Sequence, residues 1–163
     1  MPDLWAGAAV MGASTRRRTV LWLMSVLCSL GAAWPITLST AAEPTVRAAD
    51  WKAIKTVIAQ QRSAFLAGDA AKAFSYASPG IKAQFGDPAT FLAMVRAGYP
   101  ALLTARYVEF LEGAMIDGTV IQPLRLIDTD NTVRVALYTM EKQQNGIWRI
   151  SGCRIAPSTV QAT

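Results

Sequence analysis

The stretch that decides the fold is DWKAIKTVIAQQRSAFLAGDAAKAFSYASPGIKAQFG, residues 50–86. Its apolar residues first recur every three or four positions, which is the period of an amphipathic helix. Asp50 suits the N-cap, because its carboxylate can accept from a free backbone N–H, and Gly68 suits the position just past the helix end. We therefore predict a long first helix. Its apolar face comprises Trp51, Ile54, Val57, Ile58, Ala64 and Phe65.

One polar residue, Gln61, projects from the middle of this apolar face. A buried amide needs hydrogen-bond partners. Two interpretations stay open at this point. Gln61 either forms a structural hydrogen bond to strand backbone, or it offers a polar group to a ligand in a cavity under a sheet.

Two further helices follow. Asp69 can cap a second helix over Ala70–Ala77, and Asp87 with the proline after it predicts the start of a third. Pro100 ends that third helix, because the residue before a proline is disfavoured in the helical region. The three acids Asp50, Asp69 and Asp87 are therefore interpreted as helix caps.

From Tyr107 onwards the apolar residues alternate with a period of two, and turn residues separate the runs. We predict four strands: Tyr107–Met115, Thr119–Ile127, Thr132–Glu141 and Ile147–Ile155. Short connections make neighbouring strands antiparallel, so helices followed by this meander predict an α+β fold. The N-terminal helices are expected to pack in the concave face of a curved four-stranded sheet. The outer face is expected to carry Ala136, Tyr138 and Met140, which would favour a homodimer through that face.

Residues 1–42 have the order of a secretory signal: three arginines, an apolar run and small residues. We expect cleavage near Ala41/Ala42, a single domain over residues 43–163, and a periplasmic or secreted protein. An inner-membrane anchor over residues 19–38 is the alternative, and it would be the chain's only membrane contact. Arg17 and Arg18 leave twin-arginine export open.

The composition excludes several chemistries. The chain contains no histidine, which removes histidine-based nucleophile systems and zinc sites. Cys153 is the single cysteine after residue 42, and we expect it to be a small buried hydrophobe. The basic residues are scattered, so nucleic-acid binding is not expected. We predict neither a metal nor a cofactor.

Three stretches point to a family: AFLAGDAAKAFSYASPGIKAQFG (64–86), MVRAGYP (94–100) and ALYTMEKQQNGIWRISGC (136–153). They are similar to a bacterial family of exported proteins known only as a domain of unknown function. The order of helices and strands resembles the nuclear-transport-factor-2-like superfamily. That resemblance implies a cystatin-like cone, in which a bent sheet wraps helices around a cavity. It brings no catalytic residue.

The leading functional prediction is non-catalytic binding of a small apolar or acidic ligand, or of a protein partner, in the cone. The candidate ligand-binding residues are Gln61, Tyr76, Tyr99 and Arg106. For Tyr99 the alternative is a structural role, with its ring in the core and its hydroxyl bonded to backbone.

Two other functions stay open. A lyase or isomerase of the ketosteroid-isomerase type would use Glu109 or Glu112 as base, with Tyr99 or Tyr138 as hydrogen-bond donor. A solvated strand face is the other place for both glutamates. The third function is a dimeric scaffold with a filled interior.

Overall fold

The computed structural model describes residues 45–161, and the side chains of residues 45–156. The predicted signal over residues 1–42, its cleavage point and the alternative anchor over residues 19–38 lie outside the described residues. Within residues 45–161, five helices precede five strands. The helices are α1 Ala48–Leu66, α2 Ala70–Ser75, α3 Pro79–Phe85, α4 Pro88–Gly98 and α5 Ala101–Thr104. The strands are β1 Tyr107–Phe110, β2 Ala114–Ile116, β3 Thr119–Ile127, β4 Thr132–Lys142 and β5 Trp148–Gln161. The α+β prediction is confirmed.

Helix α1 buries the predicted apolar face, with Ile54 and Ile58 fully buried. Its start differs from the prediction. Arg47 occupies the N-cap and Asp50 lies inside the first turn, so the interpretation of Asp50 as a cap is wrong. The carboxylate of Asp50 instead accepts from side chains on two strands, as described below. Gly68 follows the helix end with a φ of 69°, which confirms its predicted position.

The caps of the next helices follow the sequence more closely. Asp69 accepts from the backbone N–H of Lys72 at the start of α2, and Asp87 accepts from two N–H groups at the start of α4. Helix α2 ends two residues earlier than predicted. The reason is that Ala77 forms a parallel bridge with Ile150 of β5, which requires extended backbone at that point.

The sheet has the order β1-β3-β4-β5, with β2 also paired to β3, and all its ladders are antiparallel. The described chain therefore has five strands where four were predicted, because Tyr107–Met115 divides into β1 and β2. Two contacts explain the break. Gln122 donates from Nε2 to the Leu111 carbonyl at 2.8 Å, and Gly113 packs against the ring of Trp51.

The prediction for the outer face of β4 is wrong. Ala136, Tyr138 and Met140 are buried and point to the helices, whereas Val135 and Leu137 lie half-buried on the other face. These buried residues continue an inner row across the sheet. An example is Tyr138, which pairs with Gln122 of β3 and with Cys153 of β5.

The helices pack on this inner face. Phe91 of α4 is the centre of an aromatic cluster, with ring centroids 5.3 Å from Phe74, 5.6 Å from Phe85 and 5.9 Å from Phe65. The cluster joins α1, α2, α3 and α4 into one layer. Helix α1 reaches past it to contact β5, and one side of α1 remains open toward β1 and β2.

Candidate functional site

A groove of about 690 Å³ lies between α1 and the segment that connects β1 to β2. Helix α1 forms one wall and β1 with its following loop forms the other, while β3 provides the floor. The side chains that define it are Trp51, Lys52, Lys55, Phe110, Glu112 and Gln122. We call this feature the α1–β1 groove.

Two aromatic side chains provide its apolar surface. Trp51 projects from the first turns of α1, and Phe110 projects from the inner face of β1, where it pairs with Leu124. The Trp51 ring lies directly on the backbone of Gly113. A Cβ added at Gly113 would lie 2.7 Å from Trp51 Cη2 and 2.8 Å from Cε3. Only glycine therefore allows the ring and the loop to meet in this way.

The floor contains a fully buried amide, that of Gln122. Its Nε2 donates to the carbonyls of Leu111 at 2.8 Å and Pro123 at 2.9 Å. These two carbonyl acceptors decide which amide atom is nitrogen, because an oxygen in that place would face two other oxygens. The other amide atom, Oε1, is buried and has no hydrogen-bond partner among the described residues.

The rim of the groove is charged. Lys52 and Lys55 stand on α1, and Glu112 stands on the opposite wall. Within the described part of the chain, none of the three takes part in an ion pair. Lys52 and Lys55 are three residues apart in a helix, so their side chains are neighbours. The α1 side of the rim is therefore positive and free to bind an anion.

The two glutamates considered as bases differ in position. Glu109 lies opposite Arg125 on the outer face of the sheet, and its Oε2 is 2.8 Å from Arg125 Nη1. Glu112 is exposed at the groove rim. Both side chains are therefore in solvated places, and neither enters the interior.

Two further polar side chains lie inside the fold. Tyr138 is fully buried and its hydroxyl has no partner among the described residues; burial raises its pKa well above the usual value. Arg62 of α1 donates from Nη2 to the carbonyl of Ala105 at 2.8 Å, and its Nε is buried without a partner in the described chain. Burial lowers the pKa of Arg62.

The four residues predicted as ligand-binding lie elsewhere, and none of them lines the α1–β1 groove. Gln61 is fully buried and donates from Nε2 to the carbonyl of Ala73 at 3.2 Å. Its partner is therefore a helix carbonyl of α2, and the predicted bond to strand backbone is wrong. The Oε1 of Gln61 has no partner among the described residues.

The other three candidates have structural contacts. The Tyr99 hydroxyl donates to the Cys153 carbonyl at 3.2 Å, which confirms the structural interpretation of that residue. Arg106 is exposed and donates to the Asp128 carbonyl and to Asn131 Oδ1. Tyr76 is half-buried, and its backbone carbonyl accepts from the N–H of Ile150. Ligand binding by these residues stays a prediction.

None of the residues that the proposed ligand would contact was predicted as ligand-binding, and Gln122 is the one among them for which the sequence holds a signal. It stands at an inner position of β3, between Val120 and Leu124, where the alternation calls for an apolar residue. That is the same signal that identified Gln61 on α1.

Cys153 is buried, as predicted, and burial raises the pKa of its thiol, so the reactive thiolate is disfavoured. In residues 45–156, no three histidine, cysteine, aspartate or glutamate side chains are grouped so that they could hold a metal ion. No helix of the described chain combines the length and the apolar character that crossing a membrane requires.

Comparison with known protein families gives a match over most of the chain. Residues 47–163 match the model of a family described as a domain of unknown function (DUF4864), and this stretch includes all ten elements of the fold. Comparison with curated proteins and with solved structures gives no match.

Proposed function

The chain belongs to the DUF4864 family of domains of unknown function, and on that premise we propose that it binds a small ligand in the α1–β1 groove. The ligand has an apolar, ring-sized body and an acidic group. The body lies between Trp51 and Phe110, and the acid lies at Lys52 and Lys55.

The observation that carries this proposal is the combination of two aromatic walls with an adjacent pair of lysines that have no ionic partner in the described chain. Binding sites for small molecules are typically concave and mostly apolar, with a few polar groups that fix the orientation of the ligand. A carboxylate is the natural partner for two neighbouring ammonium groups. An acid with an apolar body satisfies both parts of the groove together.

We propose a binding function in preference to a catalytic one. Of the two candidate bases, only Glu112 lines the groove, and it is exposed at the rim. A catalytic base of the ketosteroid-isomerase type works in an enclosed site, where neighbours adjust its pKa. The lyase or isomerase function therefore remains the alternative, with Glu112 as its base.

The place of this binding is also part of the proposal. We propose that residues 1–42 form a secretory signal, that residues 43–163 form a single domain, and that the domain acts in the periplasm or outside the cell. The positive, apolar and small-residue order of the N-terminus supports this.

We further propose that the fold is the cone of the nuclear-transport-factor-2-like superfamily. Helices packed on one face of an antiparallel sheet support that assignment. A homodimer through the outer sheet face stays a prediction, and it would now use Val135 and Leu137.

Calorimetric titration of the purified protein with hydrocinnamate, and with its uncharged amide, tests the proposed function. Hydrocinnamate has a phenyl ring and a carboxylate, and the amide has the same size without the charge. We expect the acid to bind and to raise the melting temperature by mass action, and the amide to bind about tenfold more weakly. Replacing both rim lysines (Lys52→Gln with Lys55→Gln) should remove this difference.

Lys72→Gln provides the matched control, because Lys72 is an exposed lysine on α2 outside the groove. It should leave the preference for the acid unchanged. Equal binding of acid and amide to the unchanged protein would contradict the proposal, and so would a failure of both compounds to bind.

A further inference from the structure

We propose that Gln122 makes the groove selective for ligands that carry a hydrogen-bond donor, such as a hydroxyl group, at their buried end. This inference rests on the proposed function, because it concerns the same groove. It adds the chemical group at the inner end of the ligand. The rim lysines and the aromatic walls do not determine that group.

The first step is the orientation of the amide. Both N–H groups of Gln122 Nε2 have acceptors, the carbonyls of Leu111 and Pro123. Rotating the amide by half a turn would bring Oε1 against those carbonyl oxygens, which repel it. The atom left over is therefore Oε1, and it can only accept.

The second step is the environment of Oε1. Gln122 is fully buried and is one of the residues that line the groove, together with Trp51 and Phe110. A buried acceptor without a donor is unfavourable, and a ligand that supplies a donor removes that penalty on binding. A ligand without a donor leaves Oε1 as it is in the described chain, buried and without a partner. Sites with a polar group of this kind discriminate strongly against analogues that lack the matching hydrogen bond.

The third step is the polarity of the ligand. A carboxylate, a carbonyl or an ether oxygen placed at the floor would face Oε1 with a second acceptor. The acid must therefore point outward to Lys52 and Lys55, and the donor must point inward to Gln122. A hydroxylated aromatic or alicyclic carboxylic acid has this arrangement, with its polar groups at opposite ends of an apolar body.

Gln61 shows that an unsatisfied buried acceptor does not by itself make a site. It is as deeply buried as Gln122, and its Oε1 also has no partner among the described residues. It does not line the groove, however, and its amide is held by Ala73 of α2. Gln61 is therefore the control for Gln122, since both are fully buried and only Gln122 lines the groove.

Three acids that differ at a single position test the inference by calorimetric titration of the purified protein. They are phloretate, with a hydroxyl group at the far end of the ring, hydrocinnamate, with hydrogen there, and the methyl ether of phloretate, which keeps the oxygen and lacks the donor. We expect phloretate to bind roughly tenfold more tightly than hydrocinnamate, and the ether to bind most weakly. Gln122→Met should remove the preference for phloretate, and Gln61→Met should keep it.

The unchanged protein decides the matter even where Gln122→Met fails to fold, because the three acids are compared on it directly. Equal affinities for phloretate and hydrocinnamate, both weakened by the double lysine substitution, would overturn the role of Gln122 and leave the proposed function standing. A preference that survives in folded Gln122→Met would also overturn it. If none of the three acids bound, the proposed function itself would fail, and this inference with it.

Discussion

Position 113 accepts glycine alone, because the Trp51 ring occupies the space that any side chain would need. We predict that Gly113→Ala decreases the free energy of unfolding by roughly 1–3 kcal/mol, which is the usual cost of forcing extra atoms into a packed site. The ring must move, so ligand affinity in the groove should fall as well. Chemical denaturation and titration with hydrocinnamate measure the two effects.

Gly98→Ala is the control, because it makes the same substitution at a glycine without a close neighbour. A Cβ added at Gly98, the last residue of α4, meets no atom within 4 Å. This substitution should leave stability nearly unchanged or increase it slightly, since alanine favours a helix over glycine. If the two glycine variants behaved alike, the close contact of Trp51 with position 113 would be refuted.

Single residues also show which contacts can be predicted from the sequence and which cannot. Gln61 could be identified because it interrupts a helical apolar face, but its partner could not. The carbonyl that it binds belongs to Ala73, and that residue becomes a neighbour only after α2 folds back on α1. The prediction that Asp50 caps α1 was wrong for a related reason. A capping role uses local N–H groups, whereas its actual donors come from residues far along the chain.

Among the elements, Tyr99 joins the end of α4 to β5 through its hydroxyl, which donates to the Cys153 carbonyl. Removing the hydroxyl by Tyr99→Phe should decrease the free energy of unfolding by about 1 kcal/mol, the typical net value of a buried hydrogen bond. Thermal and urea unfolding measure this. Ligand affinity should stay the same, because Tyr99 does not line the groove.

Tyr107→Phe is the matched variant, since Tyr107 on β1 is about half exposed, at 51%. Water replaces whatever its hydroxyl contacts, so we expect almost no change in stability. A loss for Tyr99→Phe no larger than for Tyr107→Phe would show that the bond between α4 and β5 contributes nothing. A loss of ligand binding in Tyr99→Phe would restore Tyr99 as a ligand-binding candidate.

Helices and strands whose ends are determined by nearby residues could be predicted from the sequence. Those whose ends are determined by tertiary contacts could not. Helix caps at Asp69 and Asp87 follow from residues within one turn, and both were confirmed. Strand β4 is apolar on both faces, so its sequence has no contrast that could tell the inner face from the outer one. Packing against the helices decides this, and it buries the face with Tyr138. The break between β1 and β2 depends in the same way on Trp51 and Gln122, which lie in other elements.

For the whole molecule, Asp50 connects the first helix to the last two strands. Its Oδ1 accepts from Lys142 Nζ at 2.7 Å and from Trp148 Nε1 at 3.0 Å, and its Oδ2 is 3.0 Å from Arg47 Nε. Lys142 Nζ also lies 5.5 Å from the centre of the Trp148 ring. The two bonds to the strands close loops of 92 and 98 residues. They therefore tie the first turn of α1 to the end of β4 and the start of β5, one residue before Trp51 of the groove.

These contacts imply that stability depends on pH in the acid range. The hydrogen bond from Lys142, followed by those from Trp148 and Arg47, lowers the pKa of Asp50 far below its ordinary value. A carboxyl group with a lowered pKa in the folded state stabilises the fold above its unfolded pKa of about 4. That contribution is lost as the pH falls from about 5 toward the folded pKa, because the unfolded chain then takes up the proton first.

We expect Asp50→Asn to lower the melting temperature at pH 7 by several degrees, and this deficit to shrink steadily as the pH falls below about 4. The comparison of the two proteins at each pH isolates Asp50 from other acids with lowered pKa values, such as Asp87 and Asp130. Asp117→Asn, at an exposed turn, should follow the unchanged protein at every pH. A deficit of the same size at pH 7 and pH 3 would mean that Asp50 acts through its shape and not through its charge. Asp50 would then connect α1 to the strands through packing, and the groove beside it would keep its shape at acidic pH.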